Sequence, residues 1–552
     1  MSQRGKHILF FVLLGALFYI PFLGGVHLFD WDEINFAEIS REMIATGDYL
    51  RVYIDYQPFF QKPPLFFWFQ VLAMKVFGIG EFAARLPNAI CGIATLVLLY
   101  DIGRRLYDAR FGILWAGSYF GSVLPFLYFK SGIIDPVFNF FIFLGLYFLV
   151  LFNWRKQGYT RIELPRSTWY YLFWSGIFLG FAILAKGPAA YLIIVLTMGV
   201  YWVFQRFRMY IGIGEFIFFS FSAALVTLVW FGLETYQNGP EFVVEFTRYQ
   251  YRLFSTPDAG HAGFPGYHVV VLLVGVFPAS VFAIRSFSAL PEEPYDYRRD
   301  FRKWMKILFW VVLILFTVVR SKIVHYSSMC YFPITFLAAT VLYRMLEGQI
   351  SFKRWMSTAL WLIGALYVLV CLLLPYLGQH PEMIQTILDD PFARANLEAS
   401  VNWTGWEVVP GLWLLFVLII SIRLLHRNEK KRGLAVLFGG TAVFVFLALV
   451  FYIKRIEGYS QRAAVEFFEE KADEKCYIVT YGYKSYAHLY YAEKPPVENE
   501  KSYDREWLFR GDIDRPVYVV AKIHKAHELE EVTGLTRIRE KNGFVFFRRQ
   551  PD

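Results

Sequence analysis

The chain has 552 residues, of which 57% are hydrophobic, 20% aromatic and only 18% charged. A soluble globular protein sits nearer half apolar and a quarter charged, so this composition marks an integral membrane protein and excludes a soluble enzyme. The formal net charge of +9 does not imply a nucleic-acid partner, because the basic residues cluster in short hydrophilic gaps (Arg104/Arg105/Arg110, Arg206/Arg208, Lys353/Arg354, Arg423/Arg427/Lys430) that recur at alternate loops, as the positive-inside rule expects.

In chain order, residues 8–25 carry no charged side chain, long enough to cross a hydrocarbon core at roughly 1.5 Å per residue. Arg4 and Lys6 precede this run, and no small-x-small cleavage site follows it, so it reads as a retained signal-anchor helix. Further apolar runs lie near 83–103, 111–129, 132–152, 170–185, 188–204, 213–233, 267–287, 305–320, 329–345, 355–377, 408–424 and 434–453. They predict an α-helical polytopic membrane protein of about 13 transmembrane helices, N-terminus inside and C-terminus outside. Residues 66–77 are apolar but short, with Pro63-Pro64 ahead and Trp68 within, and predict an interfacial helix inside an external segment spanning 27–82. From about Lys454 the apolar runs shorten to strand length (476–480, 517–521, 544–547) and alternate with charged, helix-like stretches at 461–470 and 524–531. This predicts a membrane unit over 1–453 and a small C-terminal α/β domain outside the membrane over 454–552. The four cysteines form neither a disulfide framework nor a metal-ligand spacing.

The densest charge on the chain follows the first apolar run: Asp30, Asp32, Glu33, Glu38, Arg41 and Glu42. Charged groups at a membrane surface cost desolvation free energy, so such a cluster is a candidate functional site. The other unusual polar residues fall on the same external side. They are Lys62 and Arg85, Asp135 at the start of the fourth run, Lys186 in Ala185-Lys186-Gly187-Pro188, Arg248, Arg252 and His261, and Lys322 with Tyr326. Carboxylates beside several fixed cations suit transfer of a group from a phosphate-linked lipid. The cations would stabilise the departing phosphate and a carboxylate would deprotonate a hydroxyl acceptor.

These residues carry a resemblance. Asp32-Glu33, Ala37-Glu38-Ile39-Ser40-Arg41-Glu42-Met43, Lys62-Pro63-Pro64-Leu65, Ala84-Arg85-Leu86-Pro87, Lys186-Gly187-Pro188, and Ser321-Lys322 with Tyr326 and Pro333 look like the aminoarabinose transferases of lipid A, in order from residue 8 to about 340. Those enzymes group with the protein O-mannosyltransferases in the C-type glycosyltransferase fold. The resemblance implies transfer of a sugar from an undecaprenyl-phosphate carrier to lipid A or another acceptor at the periplasmic face of the bacterial inner membrane, with inversion. It assigns Asp32 as the catalytic carboxylate, Glu33 as its support and Asp135 as a further acidic position. Arg41, Lys62, Arg85, Lys186, Arg248 or Arg252, Lys322 and Tyr326 would bind the substrates.

One departure stands out: Gln61-Lys62-Pro63-Pro64 replaces the family's Glu-Lys-Pro-Pro. Where that Glu helps bind a metal ion, Gln61 is a poorer ligand, and His261 with His268 nearby is a weak zinc signal. Competing readings are a protein O-glycosyltransferase, a lipid flippase and a membrane-anchored scaffold. The absence of an internal repeat and the one-sided placement of the charges disfavour the flippase.

Overall fold

The computed structural model describes residues 1–255 and 263–551; His261 lies outside the described residues. Among these, eight helices are long and apolar enough to cross a membrane, or nine if Tyr267–Gly275 and Ala279–Arg285, which meet at a 112° bend, form one broken span. Each of the thirteen apolar runs contains helix, yet several fall short of a clean span. Gln3–Tyr19 has 17 residues and Ala189–Phe204 has 16. The third run divides into Ala109–Phe120 and Val123–Tyr128, and Asp296–Val318 begins with a strongly charged turn.

The basic loops gather at one end of the bundle. Arg298 donates to the Leu106 carbonyl at 2.7 Å, Arg110 pairs with Glu347 at 2.7 Å, Arg344 with Glu293 at 2.7 Å, and Lys430 donates to the Met345 carbonyl at 2.8 Å. The basic loops seen in the sequence are therefore neighbours in space, and the chemistry-bearing segments collect at the opposite end.

At that opposite end, residues 27–82 form the helix Asp32–Thr46, a two-stranded hairpin (Tyr53–Ile54 with Gln57–Pro58) and the apolar helix Leu65–Phe77. Gly47, in the left-handed region with φ +72°, closes the first of these helices. The segment is tied down by the C-terminal part of the chain. The Tyr491 hydroxyl accepts from Leu28 N at 2.7 Å, Arg41 and the Tyr56 hydroxyl donate to the Lys494 carbonyl at 2.9 and 2.7 Å, and Tyr503 donates to the Asp55 carbonyl at 2.7 Å.

The C-terminal part carries the three expected strands, Tyr477–Tyr481, Val517–Lys522 and Phe544–Arg549, and a fourth, Thr536–Lys541, at the edge. Their spatial order is first, second, fourth, third, with the first pair parallel and the others antiparallel. One face of the sheet (Tyr518, Val520, Phe544, Phe546) joins the main core, while Val517, Val519, Val545 and Phe547 pack with Leu508 and Leu529 in a second core. Alternation along each strand produces these two faces.

Candidate active site

Two helix N-termini present carboxylates to one spot. Asp32 opens the helix Asp32–Thr46, and Asp135, followed by Pro136, opens Asp135–Gln157. A carboxylate in the first turn is stabilised by the helix dipole, and proline suits that turn because it has no N–H to leave unpaired. Between the two acids stands His325, on the short 3₁₀ turn Val324–Cys330, its Nε2 3.9 Å from Asp32 Oδ2 and 3.9 Å from Asp135 Oδ2.

Lys186 supplies the opposing charge. It caps the helix Thr168–Ala185, its N–H donating to Ala182, and its Nζ donates to Asp135 Oδ1 at 2.7 Å. The same ammonium lies 5.4 Å from the Tyr326 ring centroid and 5.6 Å from that of Phe138. Gly187 follows with φ +130°, and a side chain there would press on Phe246 at 3.0 Å. Only glycine lets the helix Glu241–Ser255 close over the Lys186 turn.

Lys62, Asp135, Lys186 and Tyr326 share a cavity of about 80 Å³ whose walls are otherwise mainly apolar, with Phe138, Ile193, Phe316 and Met329 among them. Lys62 also faces the Tyr249 ring at 5.5 Å, and Gln250 of the same helix reaches the cavity. Accessibility divides the acids: the Asp135 side chain is 5% exposed and that of Asp32 39%. The site thus pairs a buried, cation-bound carboxylate with an accessible one.

Several expected residues play a different part. Glu33 was expected to support Asp32, but both its oxygens are committed. They accept from Arg85 at 3.1 and 2.8 Å, from Gly132 N at 2.6 Å and from Phe29 N at 2.9 Å. Burial pushes the Glu33 carboxyl up, but the adjacent Arg85 guanidinium and these bonds outweigh it and hold the group below the usual range. Arg85, expected to bind substrate, also donates to the carbonyls of Leu23, Val26 and His27 at 2.7–2.9 Å. This pair is a lock between residues 23–33, the turn at Gly132 and the helix Glu81–Leu106.

The same correction applies to Arg41 and Lys322. Arg41 grips Glu38 with two bonds of 2.7 Å and the Lys494 carbonyl with a third. The Lys322 ammonium donates to the carbonyls of Phe316, Thr317 and Val319 at 3.0, 2.6 and 2.5 Å, closing the end of Asp296–Val318. Three donors to three carbonyls leave it none for a ligand. Arg248, with its side chain 69% exposed, pairs with Glu245 on its own helix, and Arg252 lies 5.3 Å from the Tyr249 ring.

His325 is the main residue that the sequence reading missed. Its only signal was its place in Ser321-Lys322-Ile323-Val324-His325-Tyr326, where the neighbouring Lys322 attracted the assignment. As for a metal, buried His268 bonds Ser327 Oγ through Nδ1 at 3.1 Å. No group of three or more His, Cys, Asp or Glu side chains among the described residues is placed to hold an ion. The described residues do not fit a zinc site, and no step below passes through one.

The chain is similar to several known proteins. A family model described as dolichyl-phosphate-mannose-protein mannosyltransferase matches residues 61–231. An undecaprenyl phosphate-alpha-4-amino-4-deoxy-L-arabinose arabinosyl transferase of Aeromonas salmonicida is 27% identical over 412 residues, covering 72% of this chain and 70% of the relative. A counterpart from Pseudomonas fluorescens is 28% identical over 382 residues, covering 66% and 65%. Among solved structures, ArnT from Cupriavidus metallidurans bound to undecaprenyl phosphate superposes with a TM-score of 0.77 at 18% identity, covering 100% of both chains. The chain therefore has the ArnT fold and resembles the mannosyltransferase-related glycosyltransferases.

Proposed function

We propose that this chain is a membrane glycosyltransferase that moves a sugar from a polyprenyl-phosphate carrier of the undecaprenyl type to lipid A at the outer face of the bacterial inner membrane. The observation that carries the reading is the meeting of Asp32, His325, Asp135, Lys186 and Lys62 beside an apolar cavity at the end of the bundle away from the basic loops. In this reading the thirteen helical runs serve as crossings, with the N-terminus inside and the C-terminal unit outside, and the positive-inside rule supports that orientation.

In the reaction, an acceptor oxygen attacks the anomeric carbon from the face opposite the carrier phosphate. The bond from that carbon to the phosphate oxygen breaks and its electron pair stays on the phosphate. A diester with one negative charge thereby becomes a monoester able to carry a second. Lys186 and Lys62 lie where that added charge develops, and a fixed cation there lowers the barrier because it favours the transition state over the ground state. Asp135 aims Lys186 through their 2.7 Å bond.

Asp32 is the accessible carboxylate that receives the proton of a hydroxyl acceptor, with His325 3.9 Å away to hold or pass it. A phosphate acceptor is already ionised and needs no base, and Asp32 then orients the donor's amino group. The test is transfer by purified protein with native membrane lipid extract as donor source, wild type against Asp32→Asn, with mass spectrometry of products. A mass gain on lipid A that Asp32→Asn abolishes is the expected result. A gain on protein would move the chain to the O-glycosylation branch, and unchanged lipid would return the flippase reading.

A further inference from the structure

A larger cavity lies away from this site, between the C-terminal sheet and the hairpin at residues 53–58. It measures about 780 Å³, within the roughly 300–1,000 Å³ usual for ligand sites, and dwarfs the 80 Å³ beside Asp135. We infer that it binds an anionic, hydroxyl-rich saccharide, the glycan part of the acceptor; the word acceptor rests on the glycosyltransferase reading above.

Three polar groups of its wall are buried without a partner: His488 Nδ1, Ser502 Oγ and the Tyr483 hydroxyl. An orphaned buried polar atom costs about 1–3 kcal/mol, so three around one cavity mark a place that something polar fills. Sugar hydroxyls both donate and accept, and so satisfy a hydroxyl or an imidazole nitrogen in either tautomer. Burial pushes the His488 imidazole down to about 3, so it meets such a ligand neutral.

The charges of the wall favour an anion. Its wall carries six cations, Lys471, Lys475, Lys484, Lys494, Arg505 and Arg515, against five acids, Asp55, Asp473, Glu474, Glu493 and Glu498; Asp55 pairs with Lys494, Glu498 with Arg515 and Glu474 with Lys471. Arg505 makes one long contact with the protein, 3.4 Å to the Thr480 carbonyl, and Lys484 is placed over aromatic rings, 5.4 Å from Tyr486 and 5.8 Å from Trp31. A phosphate or carboxylate on the saccharide meets those two cations, and the tyrosine rings of the wall offer flat apolar surface to sugar faces.

The wall also meets the segment just before Asp32. Lys484 touches Trp31, next to Asp32, and Ser485 and Tyr486 lie against the Asp30 carboxyl. A glycan held in the cavity would therefore extend from the neighbourhood of Asp32, which suits an acceptor and not a carrier tail.

The experiment uses full-length protein in detergent, with Arg505→Ala and Ser502→Ala as variants whose melting checks folding. A bisphosphorylated glucosamine disaccharide, which has no acyl chains, should raise the melting temperature of wild type, and Arg505→Ala should lose the shift. In transfer, Arg505→Ala should raise the acceptor KM five- to twenty-fold, with kcat and the donor KM within twofold. If wild type shows no transfer but the melting shift appears and depends on Arg505, the saccharide site stands and the activity reading fails. Active enzyme with no shift and an unchanged acceptor KM would overturn the inference and leave a water-filled cavity.

Discussion

Two acid–base pairs at the end of the bundle away from the basic loops differ in what surrounds them. Glu33 and Arg85 are both nearly fully buried and every strong bond they make is to the protein itself. Asp135 and Lys186 are bound to each other at 2.7 Å, but they open on a cavity shared with Lys62 and stand one histidine away from the accessible Asp32. The first arrangement is saturated and holds three segments together. The second leaves capacity for another charged group. A cluster of charge in sequence therefore contains both a lock and a site, and the separating criterion is unspent hydrogen-bonding capacity facing a cavity.

The contrast breaks most sharply at Glu33. Glu33→Ala strands the buried Arg85 charge, a loss of about 3–5 kcal/mol. It should appear as a collapse in folded yield and melting temperature, with any folded remainder still binding carrier lipid. Asp135→Asn should do the reverse: sugar transfer should fall on the order of 10²–10³-fold, as for loss of one preorganised electrostatic contact, while melting stays near wild type. Equal losses of stability in the two variants would erase the distinction.

A pH series sharpens it further. Burial, reinforced by Glu38, pushes the Glu42 carboxyl up to about 9, and its Oε1 has no partner. A raised folded value means the native state keeps a proton that the unfolded chain releases above its ordinary 4.5. Stability from this group is complete below that value and declines as pH rises towards 9, by at most about 1.4 kcal/mol per pH unit. Glu33, held low, contributes in the opposite sense and loses its share only as pH falls through the acid range. Glu42→Gln should flatten the alkaline decline in melting temperature without touching the acid limb, which a melting scan from pH 4 to pH 9 reads directly.

Smaller effects are expected at the two cations placed outside the cavity. Lys322→Met removes a cap on three carbonyls and should cost about 1–3 kcal/mol, with the donor KM unchanged in what folds. Arg248→Ala breaks an exposed pair worth about 0–1 kcal/mol and should change transfer less than twofold.

Much of this was legible in the chain. Apolar runs located every long helix because membrane-spanning segments must satisfy their backbone internally and present apolar side chains to lipid. Where the backbone breaks, the pattern gave less. Gly121-Ser122 divides one run, and the 112° turn before Ala279 folds another, although both read as continuous hydrophobicity. The strand Thr536–Lys541 escaped notice because it is an exposed edge rich in Arg, Glu and Lys, the residues that protect an edge and hide its strand pattern.

Of the residues that the structure brings together, Asp32, Lys62, Asp135 and Lys186 were singled out by charge at the ends of apolar runs, and Tyr326 by its place beside Lys322. The different fates of Asp32 and Glu33 were not, since adjacent residues on a helix point about 100° apart and only the neighbours decide which faces solvent. Nor could the sequence show that Lys322 turns back onto its own helix while His325, three positions later, faces both acids.

The most direct test of the central claim is binding of undecaprenyl phosphate to folded wild type, Lys186→Ala, Lys62→Ala and Lys322→Met. At least tenfold weaker binding in the first two variants, with Lys322→Met within twofold of wild type, is the predicted result. Weakened binding in Lys322→Met with Lys186→Ala and Lys62→Ala unaffected would contradict the account and move the phosphate site away from Asp135.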